Sequence, residues 1–167
     1  MKYPPLWSGL TPDADLLNAM TPEWAIKPSA TSRASTTTLD DDPDLAVALP
    51  RAGTWVFEVW LNYTGGTLGS SDLKVRPAFT GTRTFDVYGI NAINTVSTSQ
   101  VTQAGFTMAG TGVAAGTNGG NFLNLDLKGT VVTTTTGILS LQWAQNTSSG
   151  TATNLRQGCW LRAYQLA

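Results

Sequence analysis

The sequence contains no histidine, a single cysteine and only two glutamates in 167 residues. Without histidine there can be no Ser-His-Asp triad, no Cys-His dyad, no imidazole metal ligand and no side chain whose ordinary pKa lies near neutrality. One cysteine, Cys159, cannot build an intrachain disulfide framework. It lies in an apolar stretch with no imidazole to activate it, and reads as a small buried hydrophobe. The two glutamates, Glu23 and Glu58, are a poor basis for the paired carboxylates of glycoside hydrolysis. These absences predict a chain that is not an enzyme and has no cofactor.

Charge is scarce as well. Charged residues are 13% of the chain, about half the usual share, and 10 basic against 11 acidic residues leave a net charge of -1. No basic block occurs, so the electrostatic signature of a nucleic-acid or anionic-membrane partner is missing. No uninterrupted apolar run approaches membrane-spanning length, and residues 1–7 lack the apolar core of a signal peptide. The expectation is a chain made and folded in the cytoplasm, without insertion into a membrane.

In place of charge the chain is rich in Thr, Ser, Asn and Gln, with 17 glycines and 41% hydrophobic residues. That balance argues against disorder and against a helical bundle, whose surfaces carry Glu and Lys. It fits half-buried strands joined by tight turns.

Residues 1–30 stand apart, holding five of the 8 prolines and two of the 6 tryptophans. Thr11 is a good N-cap, Pro12 suits the first helical position, and Asp13 and Asp15 favour the positive end of a helix. Leu16, Leu17 and Met20 give the helix an apolar side, and Thr21-Pro22 ends it. So short a helix is stable only when docked. Trp7, Leu16, Leu17, Met20 and Trp24 are therefore the candidate docking residues of an N-terminal arm.

From Thr31 the period changes to two. Residues 35–39 read as a strand, Asp40 to Asp44 as an acidic turn whose carboxylates could take Ca²⁺ but lack the spacing and distal Glu of an EF-hand, and 45–49 as a second strand. Residues 53–64 alternate most clearly, with Trp55, Phe57, Val59, Leu61 and Tyr63 on one face. Strands are also expected over 73–79, 84–88, 122–133, 138–145 and 159–164, whereas 81–120 otherwise reads as long loops and short edge strands. The glycine segments 65–69 and 116–120 lack the Lys of a phosphate loop and read as turns. Asn62 and Asn146 begin N-x-S/T triplets, which a Thr-rich chain generates by chance. Eight or more strands at this spacing predict an all-β, two-sheet, jelly-roll-like β-sandwich over 31–167, preceded by the extended arm 1–30 with its one short helix.

Trp60 points opposite Trp55 and Phe57, while Trp160, Arg162 and Tyr164 point opposite Leu161 and Ala163. A solvated sheet face prefers polar residues. Trp, Tyr and Arg are the types enriched in interfaces, so Trp60, Trp160, Arg162 and Tyr164 are the candidate subunit interface. Asn, Gln and the stretch Trp143-Ala144-Gln145-Asn146 offer a different surface, one suited to a sugar.

The stretch Pro5-Leu6-Trp7-Ser8-Gly9, continuing through Leu16-Leu17-Asn18 to Pro22, resembles the N-terminal arms of structural proteins from tailed phages of actinobacteria. Residues 139–147 and 156–163 look like the closing hairpin of sandwich domains in such proteins, which are similar to the tumour-necrosis-factor-like jelly roll and commonly trimeric. The resemblance covers about half of the chain and implies no catalytic, cofactor or metal residues. It implies a trimeric capsid decoration or minor tail protein on the outer surface of a virion, docked by its arm on the major capsid protein or another virion protein. The alternative is a tail-fibre module that recognises host-surface glycans.

Overall fold

A computed structural model describes residues 21–166. The described residues contain no helix and form twelve strands. In chain order these are β1 (Glu23–Ile26), β2 (Thr31–Arg33), β3 (Asp40–Leu49), β4 (Gly53–Thr64), β5 (Leu73–Phe79), β6 (Arg83–Ile93), β7 (Val101–Phe106), β8 (Val113–Ala115), β9 (Leu123–Thr133), β10 (Gly137–Gln145), β11 (Thr153–Leu155) and β12 (Trp160–Gln165). The helix expected after Thr11, and the docking candidates Trp7, Leu16, Leu17 and Met20, lie outside the described residues.

The strands build two antiparallel sheets. The larger runs β1-β12-β4-β9-β6-β7, with β11 bonded to the end of β4 and β2 to β11, and the smaller runs β3-β10-β5-β8. Eight consecutive strands pair in a nested way: β3 with β10, β4 with β9, β5 with β8 and β6 with β7. This is a long hairpin rolled so that its successive strand pairs alternate between the sheets.

The core lies between the inner faces. Strict alternation in β4 buries Trp55, Phe57, Val59, Leu61 and Tyr63, each at 3% exposure or less, opposite Leu45, Leu49, Leu73, Leu139 and Trp143 of the smaller sheet. Gly129 of β9 pairs with Phe57, and a Cβ there would sit 2.4 Å from Phe57 Cζ. Its missing side chain is the space the ring fills.

Several local expectations change. The threonine run 35–39 is not a strand, because its polar groups are spent on scattered partners rather than on one neighbouring strand. Ser35 adopts a left-handed φ of 56°, Thr38 N donates to Thr36 Oγ1 at 3.3 Å, and Lys74 Nζ donates to Thr37 O at 2.6 Å. Such side-chain and backbone bonds compete with a ladder. The acidic stretch Asp40–Asp44 is not a turn but the first half of β3. Pro43 is tolerated because β3 is an edge strand, bonded only to β10 and irregular in register near Ser140. Within 81–120, β6 is eleven residues long and β7 pairs with it along its outer edge. The expected division at residue 30 falls between β1 and β2, and the larger sheet reaches back to Glu23.

Candidate functional site on the outer face of the larger sheet

Register places outward-pointing residues in rows across the larger sheet. One row is Trp24, Arg162, Glu58, Lys128, Gly89 and Gly105, contributed by β1, β12, β4, β9, β6 and β7. The neighbouring row is Ile26, Trp160, Trp60, Asp126, Asn91 and Gln103. On the other side, Tyr164, Val56, Thr130 and Val87 form a third. The four interface candidates Trp60, Trp160, Arg162 and Tyr164 are thus brought together on one face. Trp24, expected in the arm, joins them there through β1.

The β1–β12 end of this face is aromatic. The Trp24 and Trp160 rings lie 5.7 Å apart, tilted by 49°. The Arg162 guanidinium sits 5.5 Å from the Trp24 ring and 5.3 Å from the Trp160 ring, within the range of cation–π attraction. Trp24 remains 49% exposed and Ile26 60% exposed. Arg162 Nε donates to Glu58 Oε2 at 2.6 Å, and Lys128 Nζ stands 3.4 Å from Glu58 Oε1. Burial would raise the Glu58 pKa, but hydrogen bonds from Arg162 and Lys128 outweigh it and hold the carboxyl below its ordinary value. Arg162 is thereby fixed in position between the rings and Glu58.

The β6–β7 end differs. Gly89 and Gly105 are register partners, and with no side chains there the face sinks into a furrow of about 590 Å³ lined by Asn91, Gln103, Asp126 and Lys128. Asn91 and Gln103 are direct register partners, and Asn91 also faces Asp126.

A second cluster is internal. Lys27, just after β1, is fully buried, and its Nζ lies 2.9 and 2.8 Å from the two carboxylate oxygens of Asp42 and 2.9 Å from Asp44 Oδ2. Trp143 Nε1 donates to Asp42 Oδ2 at 3.0 Å and Asp44 N donates to Asp42 Oδ1 at 3.0 Å. Arg33 holds the same strand from outside, donating to Asp40 O at 2.9 Å and Asp41 O at 3.0 Å while its guanidinium lies 4.3 Å over the Trp143 ring. The acidic stretch is therefore the anchor for the N-terminal segment. Among the described residues no group of three acidic or Cys side chains is arranged to hold a metal ion.

The sugar surface expected around Trp143-Ala144-Gln145-Asn146 does not form. Trp143, Ala144 and Gln145 are fully buried, and Gln145 Nε2 is spent on Thr151 O at 2.7 Å. Cys159 is buried, with Sγ 3.3 Å from both the N and the O of Asn62, and burial pushes its thiol pKa up. Glu23 pairs with Ala163 and Glu58 with Arg162, so the two glutamates point to opposite faces of the sheet. No family model matches the chain, and no curated protein is similar to it.

Proposed function

We propose that the chain is a non-enzymatic structural subunit of a tailed-phage virion, exposed on the particle surface and assembled in the host cytoplasm. In this reading the sandwich self-associates, as a trimer, through the β1–β12–β4 end of its larger sheet. Residues before β1 dock it on the capsid or on a neighbouring virion protein.

The observation that carries the reading is the apolar, aromatic-rich patch of Trp24, Ile26, Trp60, Trp160 and Tyr164, with Arg162 held between the Trp24 and Trp160 rings. On a lone sandwich that face would be solvated and polar. Exposed aromatics around an ordered Arg are the composition of an interface centre. The nested pairing of β3 to β10 is the connectivity of a jelly roll, an architecture used by capsid proteins and lectins alike, so fold alone does not choose between them. A standard interface of about 1,600 Å² would hold such a subunit specifically in place, and added buried area makes a shell harder to take apart.

The test is co-sedimentation with particles assembled without this protein. The full chain is expected to sediment with them, and a chain starting at residue 21 is expected to fold but stay in solution. The deletion has to stop there, because removing residues 1–30 would also take β1 and Lys27. Sedimentation of the shortened chain with particles would refute docking through the preceding residues.

A further inference from the structure

The glycines of the strands divide into those the fold needs and those it does not. A Cβ at Gly129 would collide with the Phe57 ring and Val87 O, and one at Gly137 with the Phe79 ring and Gly81 N, all within 2.7 Å. Gly53 has a φ of 150°, at the far margin of the conformations that favour glycine. Gly89 and Gly105 have no such reason. Their φ values are not positive, and a Cβ would meet only Ala104 O at 3.5 Å and Tyr88 O at 4.0 Å. Glycine in a strand interior weakens the strand relative to alanine. Where no bulge, bend or internal contact demands it, one use of such a glycine is close approach by a ligand or another backbone.

The furrow these two glycines open has a defined chemistry. Asp126, Asn91 and Gln103 stand side by side on β9, β6 and β7, spanning about 10 Å at the usual strand spacing. Their side chains have no hydrogen-bond partner among the described residues. Two amides and a carboxylate provide donors and acceptors in adjacent pairs, which matches neighbouring hydroxyl groups. Lys128 is shared with Glu58 and Asp126 is acidic, so the furrow has no bias toward phosphate or another anion. A second copy of the chain fits less well, because its apolar patch would strand these polar groups without partners.

We propose that the Gly89–Gly105 furrow binds a neutral, hydroxyl-rich polysaccharide chain, which lies against the bare backbone of β6 and β7 and is held by Asn91, Gln103 and Asp126. This does not depend on the Trp24 and Trp160 rings, which lie at the opposite end of the face, although Tyr164 lines the adjoining hollow over Gly89 and Gly105.

The experiment is affinity electrophoresis of the full chain in native gels containing glycol chitin, hydroxyethyl cellulose or arabinogalactan. At least one polysaccharide is expected to retard the protein. Gly105→Trp, which fills the furrow from a position with open space, is expected to weaken that retardation at least tenfold while leaving the solution mass unchanged. Asn91→Ala/Gln103→Ala, which removes hydrogen bonds without altering the backbone, is expected to do the same and decides the matter should Gly105→Trp not fold. Absence of retardation in every gel, or full retardation of the folded variants, would overturn the proposal. A Gly105→Trp protein that folds but loses its oligomeric state would also overturn it, and assign the furrow to a second copy.

Discussion

Replacing Lys27 by Met keeps the volume of the side chain and removes its charge. Asp42, at 0% exposure, then keeps a carboxylate in the interior with Trp143 Nε1, Asp44 N and, at 3.5 Å, Thr31 Oγ1 as its donors, while Asp44 stands next to it as a like charge. Removing one partner of a buried ion pair costs about 3–5 kcal/mol, a large part of the stability of an ordinary domain, about 5–15 kcal/mol. With a urea m-value of about 2 kcal/mol/M, the unfolding midpoint should fall by about 1.5–2.5 M. Adding Asp42→Asn should recover about 2 kcal/mol, because the amide oxygen still accepts from Trp143 Nε1 and the stranded charge is gone. The assay is urea denaturation followed by tryptophan fluorescence at one fixed protein concentration, since association contributes to apparent stability. A midpoint shift below about 0.5 M, or a double variant no more stable than the single one, would refute the view that Lys27 anchors the N-terminal segment to β3.

The phenol of Tyr88 is buried without a hydrogen-bond partner among the described residues, and burial pushes its pKa up to about 12. Tyr88→Phe is therefore expected to be neutral or stabilising by up to about 1 kcal/mol in thermal unfolding, and a clear loss would reveal a partner for the hydroxyl. The Glu58 carboxyl, held below its ordinary value of 4.5, contributes stability that is present above that pH and is lost as pH falls through the folded-state value. The melting-temperature gap between wild type and Glu58→Gln should accordingly be open at pH 6 and narrow as pH falls below 4.5; a gap that does not change with pH would contradict the Arg162–Glu58–Lys128 arrangement. Gly129→Ala should cost about 1–3 kcal/mol through overpacking against Phe57, whereas Gly105→Ala should be neutral or stabilising by up to about 1 kcal/mol. Equal effects in urea unfolding would remove the distinction between the two kinds of glycine.

Period-two alternation was enough to place β4, β5, β9, β10 and β12, because each buries one complete face and a slip by one residue would expose it. The aromatic patch was partly legible for the same reason, since parity alone puts Trp60, Trp160, Arg162 and Tyr164 on outer faces. Trp24 could not be placed this way, because β1 has four residues, too few to show a period. The acidic stretch misled because the burial of Asp42 depends on Lys27, fifteen residues earlier in the chain, and on Trp143 from a strand near the other end. Propensity describes local preference, and here a tertiary contact overrode it. The furrow was illegible for a different reason. Gly89 and Gly105 are sixteen positions apart and ordinary one at a time, and only the β6–β7 register sets them opposite each other.

The proposed association through the aromatic end of the larger sheet is tested most directly by light scattering coupled to size exclusion. The wild-type chain is predicted to elute with three times its 17.7 kDa mass, and Trp24→Ser/Trp160→Ser to elute as a folded monomer with unchanged circular dichroism. A monomeric wild type, or a double variant that keeps the wild-type mass, would contradict it.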